Sequence, residues 1–474
     1  MIDLSNYTAE HRLELEALLN SDPWQEIFKS NLVEEVKAER IEPGNIRDFI
    51  DTVVNQLLDF NYRKVKKLIN HGCQDKDHLF TEISRWPENL EGKDPKISFL
   101  GLNVTAGCNF DPACLYCNQP DTPSLVDRDG WKRIVEEVTV NNNGEGPYLY
   151  ITGGEPLTLG EDLWGDNGIV RFASQRGAGV NVNTNAVMLT PEVALRFIKA
   201  GLAKLHISLD SSVKDVQNSL LNGDYFNQIL EGIYNVQLAR DIIGVSYPVI
   251  HTNCVLTNRN LDLFPDLFTF ILEKHKQTAD EDDSFFNDLF PHVIPVGGGS
   301  NDCLRPSEKE FKRFYDVIWP QVIQMWDSYQ GELGVPKGKR GVLFGYFSNP
   351  YLRVEHKGGL NAYVKASARG FYGKLALPRY CYVAPTQASF TPDGYQYRCG
   401  SHAIRRILPA GNIKDRGVFA SIRAEIFDHD KLPQEEYCYG CALATLYINQ
   451  YVELKLKETL NAELTRQHNL TKRR

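Results

Sequence analysis

The chain begins with a stretch in which charged and apolar residues alternate at helical spacing. Residues 11–19 and 49–58 show it most clearly, because apolar side chains recur there every three or four positions. Pro23 and the pair Pro43-Gly44 interrupt the pattern, and proline cannot continue a helix interior. We therefore predict a helical extension over residues 1–92, built from several short helices and without strands.

From about residue 96 the pattern changes to short apolar runs that alternate with longer amphipathic segments, which is typical of βα units and a parallel sheet. The predicted strands cover residues 97–104, 148–152, 179–184, 205–209, 249–256 and 293–296. The predicted helices cover residues 131–138, 163–174, 191–200, 226–240, 265–275 and 307–330. Six units over residues 93–330 predict an α/β fold with a partial (β/α)6 barrel, TIM-like in plan but short of eight strands.

Charge and composition narrow the class of protein. Lys and Arg number 52 against 61 Asp and Glu, a net charge of −9, which argues against general nucleic-acid binding through phosphate contacts. Residues 331–375 are Gly-rich and locally basic, and form either an ordinary solvated surface or a region that steers an acidic peptide. We expect no secretory signal and no membrane span, so the protein is placed in the cytoplasm, with its ten cysteines reduced.

Three cysteines, Cys108, Cys114 and Cys117, directly follow the first predicted strand. Three thiolates can hold a cubane iron–sulfur cluster and leave one iron open for a small molecule. A structural zinc site takes four closed ligands, and no fourth Cys or His lies close by in the sequence. Zinc nevertheless remains an alternative for the cysteines alone, since several metals share such short spacings.

The segment Gly153-Gly154-Glu155-Pro156 follows the second predicted strand. Because loops after parallel strands gather at the carboxyl edge of a barrel, we expect this segment and the three cysteines on one face. Glycine lets a bare backbone approach a ligand closely, and a glutamate pairs with an ammonium group. The two segments together predict a site for a cluster and a small cationic cosubstrate.

These two segments resemble the core motifs of the radical S-adenosylmethionine (SAM) superfamily. The resemblance implies a [4Fe-4S] cluster on Cys108, Cys114 and Cys117, with SAM as the cosubstrate at its open iron. It also places Tyr116 near the adenine. Most of the family has three residues between the first two cysteines, whereas this chain has five, so residues 109–113 are expected to bulge outward.

The same resemblance implies the other contacts of the cosubstrate. The residues concerned are Gly153, Gly154 and Glu155 for the methionine ammonium, Asn185 after the third strand, and Ser208 and Asp210 near the ribose. For the groups after the third and fourth strands, a polar strand end satisfied by the protein itself remains the alternative.

A second set of cysteines lies within residues 376–449 and comprises Cys381, Cys399, Cys438 and Cys441. It resembles the auxiliary-cluster extension called SPASM, or its shorter twitch form, and implies a small C-terminal iron–sulfur domain with a second [4Fe-4S] cluster. Zinc is again the alternative. No cysteine follows Cys441, so one auxiliary cluster is the most that this set supports. Residues 450–474 are predicted to form a C-terminal helix.

Cys303 lies just past the sixth predicted strand, where a thiol could return a hydrogen atom to a substrate. The layout resembles proteusin-type peptide epimerases, which implies L-to-D conversion in a precursor peptide and an external flavodoxin-like or ferredoxin-like electron donor. Two alternatives remain open for Cys303. It is either a passive loop thiol, or Cys381 is the hydrogen donor instead and leaves three thiolates for the auxiliary cluster. Also open are peptide crosslinking through a thioether or carbon–carbon bond, maturation of a small molecule, and a non-catalytic zinc-binding interaction protein.

Overall fold

The computed structural model describes most of the chain. The described residues are 2–44, 49–86, 95–119, 122–274, 288–295, 302–340, 364–365, 368, 381–415, 417–418 and 443–472. Much of the predicted basic segment at 331–375 therefore lies outside the described residues, as do Cys438 and Cys441.

A parallel sheet forms the centre of the molecule. Its strands are β1 (Phe99–Asn103), β2 (Tyr148–Thr152), β3 (Gly179–Thr184), β4 (Lys204–Ser208), β5 (Val249–Leu256) and β6 (Asp288–Pro295). They lie side by side in chain order, and every neighbouring pair is parallel. The predicted partial βα barrel is confirmed, although β6 begins earlier than the sequence pattern predicted.

Helices follow the strands and cover the outer face of this sheet. They are α6 (Arg128–Asn141), α7 (Glu161–Trp164), α8 (Ile169–Ser174), α9 (Pro191–Lys199), α10 (Lys214–Leu221), α11 (Phe226–Ile243), α12 (Phe264–Lys274), α13 (Glu308–Arg313) and α14 (Trp319–Glu332). Strand alternation produces the two faces. In β4, Leu205 and Ile207 are fully buried on the outer face, whereas Lys204, His206 and Ser208 are half-buried on the inner face.

Two predicted helices are each divided in the structure. The helix predicted over 163–174 breaks between α7 and α8, where a Cβ on Gly165 or Gly168 would approach a backbone oxygen within 2.7 Å. The helix predicted over 307–330 contains a π-helical turn, Phe314–Ile318, just before Pro320, which has no N–H to donate. Helix α10 was not predicted from the sequence.

The N-terminal extension is helical, as predicted. It contains α1 (Ala9–Leu19), α2 (Asp22–Lys29), α3 (Leu32–Glu39), α4 (Phe49–Asn70) and α5 (Lys76–Ser84). Buried polar contacts attach it to α11, since Trp24 Nε1 donates to Asn235 Oδ1 at 2.9 Å and His11 Nε2 lies 2.9 Å from Gln237 Oε1. The extension is therefore fixed to the barrel.

Residues after 380 return to the same sheet. Strand β7 (Gln387–Phe390) pairs in parallel with β1, and β8 (Tyr395–Tyr397) and β9 (Gly411–Asn412) continue antiparallel beyond it. The short helix α15 (Gly400–Arg405) follows β8, and the terminal helix α16 (Leu443–Lys472) starts before the predicted boundary at 450 and packs on α4 and α5. No helix in the described part of the chain is both long and apolar enough to cross a bilayer.

Candidate active site

The loop after β1 carries three cysteines at the carboxyl edge of the sheet. Cys108 and Cys117 are exposed, and Cys114 is half-buried. The backbone N–H of Phe110 donates to Cys108 Sγ at 3.5 Å, and the N–H of Cys117 donates to the carbonyl of Cys114 at 3.0 Å. The thiols therefore sit on a turn that is held by its own backbone.

The two additional residues of this loop are accommodated by an aromatic anchor. Phe110 is 5% exposed and stacks on Tyr225, with ring centroids 4.1 Å apart. Asn222 donates through Nδ2 to the carbonyl of Ala113 at 3.4 Å, and residues 111–113 are exposed. The loop bulges outward as expected, but α10 and α11 hold its base. Phe110 was not predicted as a site residue, although an apolar ring among polar loop residues is a recognisable signal.

Two of the three thiols, Cys108 and Cys114, lie in surroundings that favour their protonated form. Burial raises the pKa of Cys108, and burial together with the negative charge of Asp210 raises the pKa of Cys114 to about 12. A bound cation reverses this preference, because thiolates are the ligands that iron–sulfur clusters take. Within the described residues, no three His, Cys, Asp or Glu side chains are already arranged as a metal site. The donor set fits a cluster by chemistry and by its place on one loop.

The Gly153-Gly154 turn after β2 packs directly against the start of this cysteine loop. A Cβ on Gly153 would lie 2.4 Å from the carbonyl oxygen of Thr105, and one on Gly154 would lie 2.1 Å from that of Gly107. The N–H groups of Gly154 and Glu155 donate to these same two carbonyls, each at 2.8 Å. Only glycine permits this approach, so the two motifs are joined backbone to backbone.

Glu155 is completely buried beneath this turn. Its carboxylate accepts from the N–H of Leu157 at 2.9 Å, the hydroxyl of Thr184 at 2.8 Å and the N–H of Asn185 at 2.7 Å. Burial outweighs these three bonds and raises the pKa of Glu155 to about 7. Glu155 is 0% exposed, and its expected contact with an ammonium group stays a prediction. In this structure it ties the end of β2 to the end of β3.

Asp210 fixes the aromatic residue that lies between the second and third cysteines. Tyr116 Oη donates to Asp210 Oδ2 at 2.5 Å, and the N–H of Val255 donates to Asp210 Oδ1 at 2.7 Å. Burial raises the pKa of Asp210 to about 6 and that of Tyr116 well above its usual value. Asp210 is 2% exposed, so the structure shows it positioning Tyr116 across the ends of β4 and β5.

Two predicted cofactor residues remain. Asn185 is hydrogen-bonded to another side chain of the protein, whereas Ser208 faces the barrel interior. Asn185 is 8% exposed and donates through Nδ2 to Asn109 Oδ1 at 2.6 Å, which ties the end of β3 to the cysteine loop. Ser208 is half-buried on the inner face and stands beside Asn253 in the sheet. Ser208 is therefore better placed than Asn185 to meet a ligand above the barrel.

Cys303 is exposed and lies in a short 3-10 turn, Asp302–Leu304. Its carbonyl accepts from Asn258 Nδ2 at 2.9 Å, and the carbonyl of Leu304 accepts from the N–H of Asn258, also at 2.9 Å. Because Asn258 lies two residues past the end of β5, these bonds hold Cys303 at the carboxyl edge of the sheet.

The second cysteine set is described in part. Cys399 is 9% exposed and immediately precedes α15, and Cys381 is half-buried with its sulfur 3.9 Å from Asn449 Nδ2 of α16. Cys438 and Cys441 lie outside the described residues. A four-thiolate auxiliary site therefore stays a prediction.

Comparison with known proteins identifies the central region. Residues 102–270 match the family model of the Radical SAM superfamily, and this range includes both joined motifs. The chain contains a radical SAM domain. The matched range starts within β1 and ends in α12, so it covers the described barrel from β1 to β5.

Several curated relatives extend beyond that domain. The mycofactocin maturase MftC of Mycolicibacterium smegmatis is 25% identical over 368 residues, covering 76% of this chain and 79% of that protein. The AdoMet-dependent heme synthase of Methanosarcina barkeri is 27% identical over 234 residues, covering 48% of this chain and 60% of that protein. The structure of Streptococcus suis SuiB bound to the precursor peptide SuiA aligns with a TM-score of 0.48 and 13% identity, covering 74% of this chain and 72% of that one.

Proposed function

We propose that this protein is a radical SAM enzyme that modifies a ribosomally synthesised peptide. The observation that carries the proposal is the backbone junction between the cysteine loop and the Gly153-Gly154 turn at the carboxyl edge of the barrel. The similarity to a maturase over 76% of this chain supports a maturation reaction. The negative net charge agrees with a substrate other than nucleic acid.

Cys108, Cys114 and Cys117 would hold a [4Fe-4S] cluster, with SAM beside it. When bound, this pair supplies reductive cleavage of SAM and removal of a hydrogen atom from the substrate. The protein holds the surrounding groups in place: Asp210 orients Tyr116, and Glu155 keeps the turn against the cysteine loop. Ser208 faces the barrel interior, where a ribose hydroxyl would meet it.

The specific reaction that we propose is epimerisation of a peptide residue. A Cα–H bond of the L-residue breaks, and the Cys303 thiol then gives a hydrogen atom to the opposite side of that carbon. The sulfur radical left on Cys303 is reduced by one electron from an external flavodoxin-like or ferredoxin-like donor and takes one proton from water. Exposure of Cys303 at the carboxyl edge supports this assignment, because both the substrate and the donor need access to the sulfur.

Replacing Cys303 tests the epimerisation proposal. We expect Cys303→Ala to cleave SAM at the wild-type rate but to lose L-to-D conversion by at least about a hundredfold, since the hydrogen source is absent. Cys73→Ala is the matched control, because Cys73 lies in the N-terminal extension. Products are measured by chiral amino-acid analysis and by deuterium uptake at Cα in D2O. Unchanged conversion in Cys303→Ala would exclude the role of Cys303.

A second candidate is a maturation reaction that changes mass, such as a thioether or carbon–carbon crosslink. The similarity to a maturase favours it as much as epimerisation, and the similarity to a heme synthase keeps a small-molecule substrate open. Mass spectrometry of the product separates these reactions. Epimerisation leaves the mass unchanged, whereas crosslinking removes two hydrogens.

The second cysteine set is proposed to hold an auxiliary cluster. Cys381 and Cys399 lie near β7 and β8, which extend the sheet beside β1. Anaerobic iron, sulfide and zinc analysis of the purified protein distinguishes this from a zinc site. We expect Cys381→Ala with Cys399→Ala to lose about four of about eight iron atoms. Stoichiometric zinc with little iron would instead support a zinc-binding protein.

A further inference from the structure

The inner face of the barrel carries buried polar atoms that the protein does not satisfy. Asn103, Asn181 and Gln387 each leave one side-chain amide atom without a hydrogen-bond partner among the described residues, as Ser389 does with its hydroxyl. All four side chains are at least nine-tenths buried. Leaving a buried polar group without a hydrogen bond is costly, so this arrangement indicates a polar ligand or the water that it replaces.

The sheet register brings these atoms into adjacent rows. Gly101 stands beside Ser389 on one side and Tyr150 on the other, and Tyr150 stands beside Asn181, which is next to Lys204. Lys204 thus lies in the same row as the unsatisfied Ser389 hydroxyl and the unsatisfied Asn181 amide, and this row continues to Val249 of β5. One row nearer the carboxyl edge, about 7 Å along the strands, β4 and β5 place two histidines side by side.

These two histidines and the lysine form the basic part of the inner face. The rings of His206 and His251 are stacked with centroids 5.3 Å apart, and His206 Nε2 lies 3.5 Å from Asn181 Nδ2. Lys204 has no hydrogen bond or ion pair with a described residue, and burial alone lowers its pKa. None of β1–β5 and β7 contains an aspartate or glutamate. The Lys204 ammonium group therefore has no acidic partner on these six strands.

We propose that Lys204, His206 and His251 bind a carboxylate of the substrate inside the barrel, while the unsatisfied amides and hydroxyl hold its neighbouring polar atoms. This inference rests on the proposed function, because it adds a substrate feature to the same site. A carboxylate matches an ammonium and imidazole N–H donors by charge and by hydrogen bonding. The inner face thus selects an acidic side chain of the peptide.

The experiment uses reconstituted enzyme with SAM bound and two small probes, N-acetyl-glutamate N-methylamide and N-acetyl-glutamine N-methylamide. Ligand-observed saturation-transfer NMR gives a Kd for each. We expect the glutamate probe to bind about tenfold more tightly than the glutamine probe, the effect of one hydrogen bond to a charged group. Lys204→Met should abolish that preference, and Lys204→Arg should retain it.

Lys309→Met is the control, because Lys309 is exposed on α13 and away from the barrel interior. It should keep the preference for the glutamate probe, and thermal unfolding of each variant shows whether the protein is folded. Equal binding of the two probes to the wild-type enzyme would overturn the inference, as would a preference that survives in Lys204→Met. SAM cleavage by dithionite-reduced wild-type enzyme is measured separately. If the wild-type enzyme does not cleave SAM, the proposed function is contradicted. If it cleaves SAM but does not distinguish the two probes, only the carboxylate site is contradicted.

Discussion

The carboxyl edge of the barrel and its inner face both contain buried polar groups, but they treat them in opposite ways. At the edge, the Glu155 carboxylate accepts three hydrogen bonds and the Asp210 carboxylate accepts two. On the inner face, Asn181 and Ser389 leave atoms without partners among the described residues. From this contrast we infer that buried polar groups with hydrogen-bond partners in the protein stabilise the fold, whereas those without partners are positions where a ligand binds.

The largest effect on SAM cleavage is expected at Gly154, where the turn after β2 packs against the cysteine loop. In Gly154→Ala the new Cβ would lie 2.1 Å from the carbonyl oxygen of Gly107, so the cysteine loop must move. We expect SAM cleavage to fall by at least about a hundredfold, because small displacements at a reacting centre cost that much. Gly338→Ala is the control, since nothing lies within 4 Å of its Cβ position. A Gly154→Ala enzyme with normal SAM cleavage would show that the backbone junction is not needed.

A smaller effect is expected at the base of the cysteine loop. Phe110→Ala removes a ring that is 5% exposed and stacked on Tyr225. Its loss should destabilise the protein by about 3 kcal/mol and speed the removal of iron by a chelator. Phe28→Ala, at a ring that is 44% exposed, should change stability by less than about 0.5 kcal/mol. Denaturant unfolding and the rate of iron loss measure both effects.

The smallest effects on stability are expected when a single hydroxyl is removed from each region. These two variants test the difference between the carboxyl edge and the inner face. Thr184→Val leaves the buried Glu155 carboxylate with one donor fewer, and should cost about 1–3 kcal/mol of unfolding free energy. Ser389→Ala removes a 4% exposed hydroxyl that has no partner among the described residues, and should cost less than about 0.5 kcal/mol. Equal losses of stability in the two variants would contradict the distinction between the two regions.

The sequence predicted the barrel well because its signals are local. Runs of apolar residues located β2, β3 and β5 with their observed bounds. The pairing of β7 with β1 was not predictable in this way, because its partners lie almost three hundred residues apart and each segment alone is short. Helix α10 was missed because it is short and follows a polar loop.

The roles of the site residues were harder to predict than their positions. A glutamate after two glycines suggested a contact with a ligand, yet Glu155 is fully buried by contacts with β3 that only the fold creates. Likewise, Asp210 was assigned to the cosubstrate, and the structure shows its two oxygens engaged by Tyr116 and Val255. The motif therefore identified residues that lie together, and the contacts of Glu155 and Asp210 with the cosubstrate stay predictions.

The most direct test of the account measures formation of 5′-deoxyadenosine from SAM by the anaerobically reconstituted, dithionite-reduced enzyme. The wild-type protein should form it, and a variant with alanine at Cys108, Cys114 and Cys117 should form none while losing about four iron atoms. A variant with Cys73→Ala should behave as the wild type does. Formation of 5′-deoxyadenosine by the triple variant, or none by an iron-loaded wild-type protein, would contradict the assignment of these three cysteines to a radical SAM cluster.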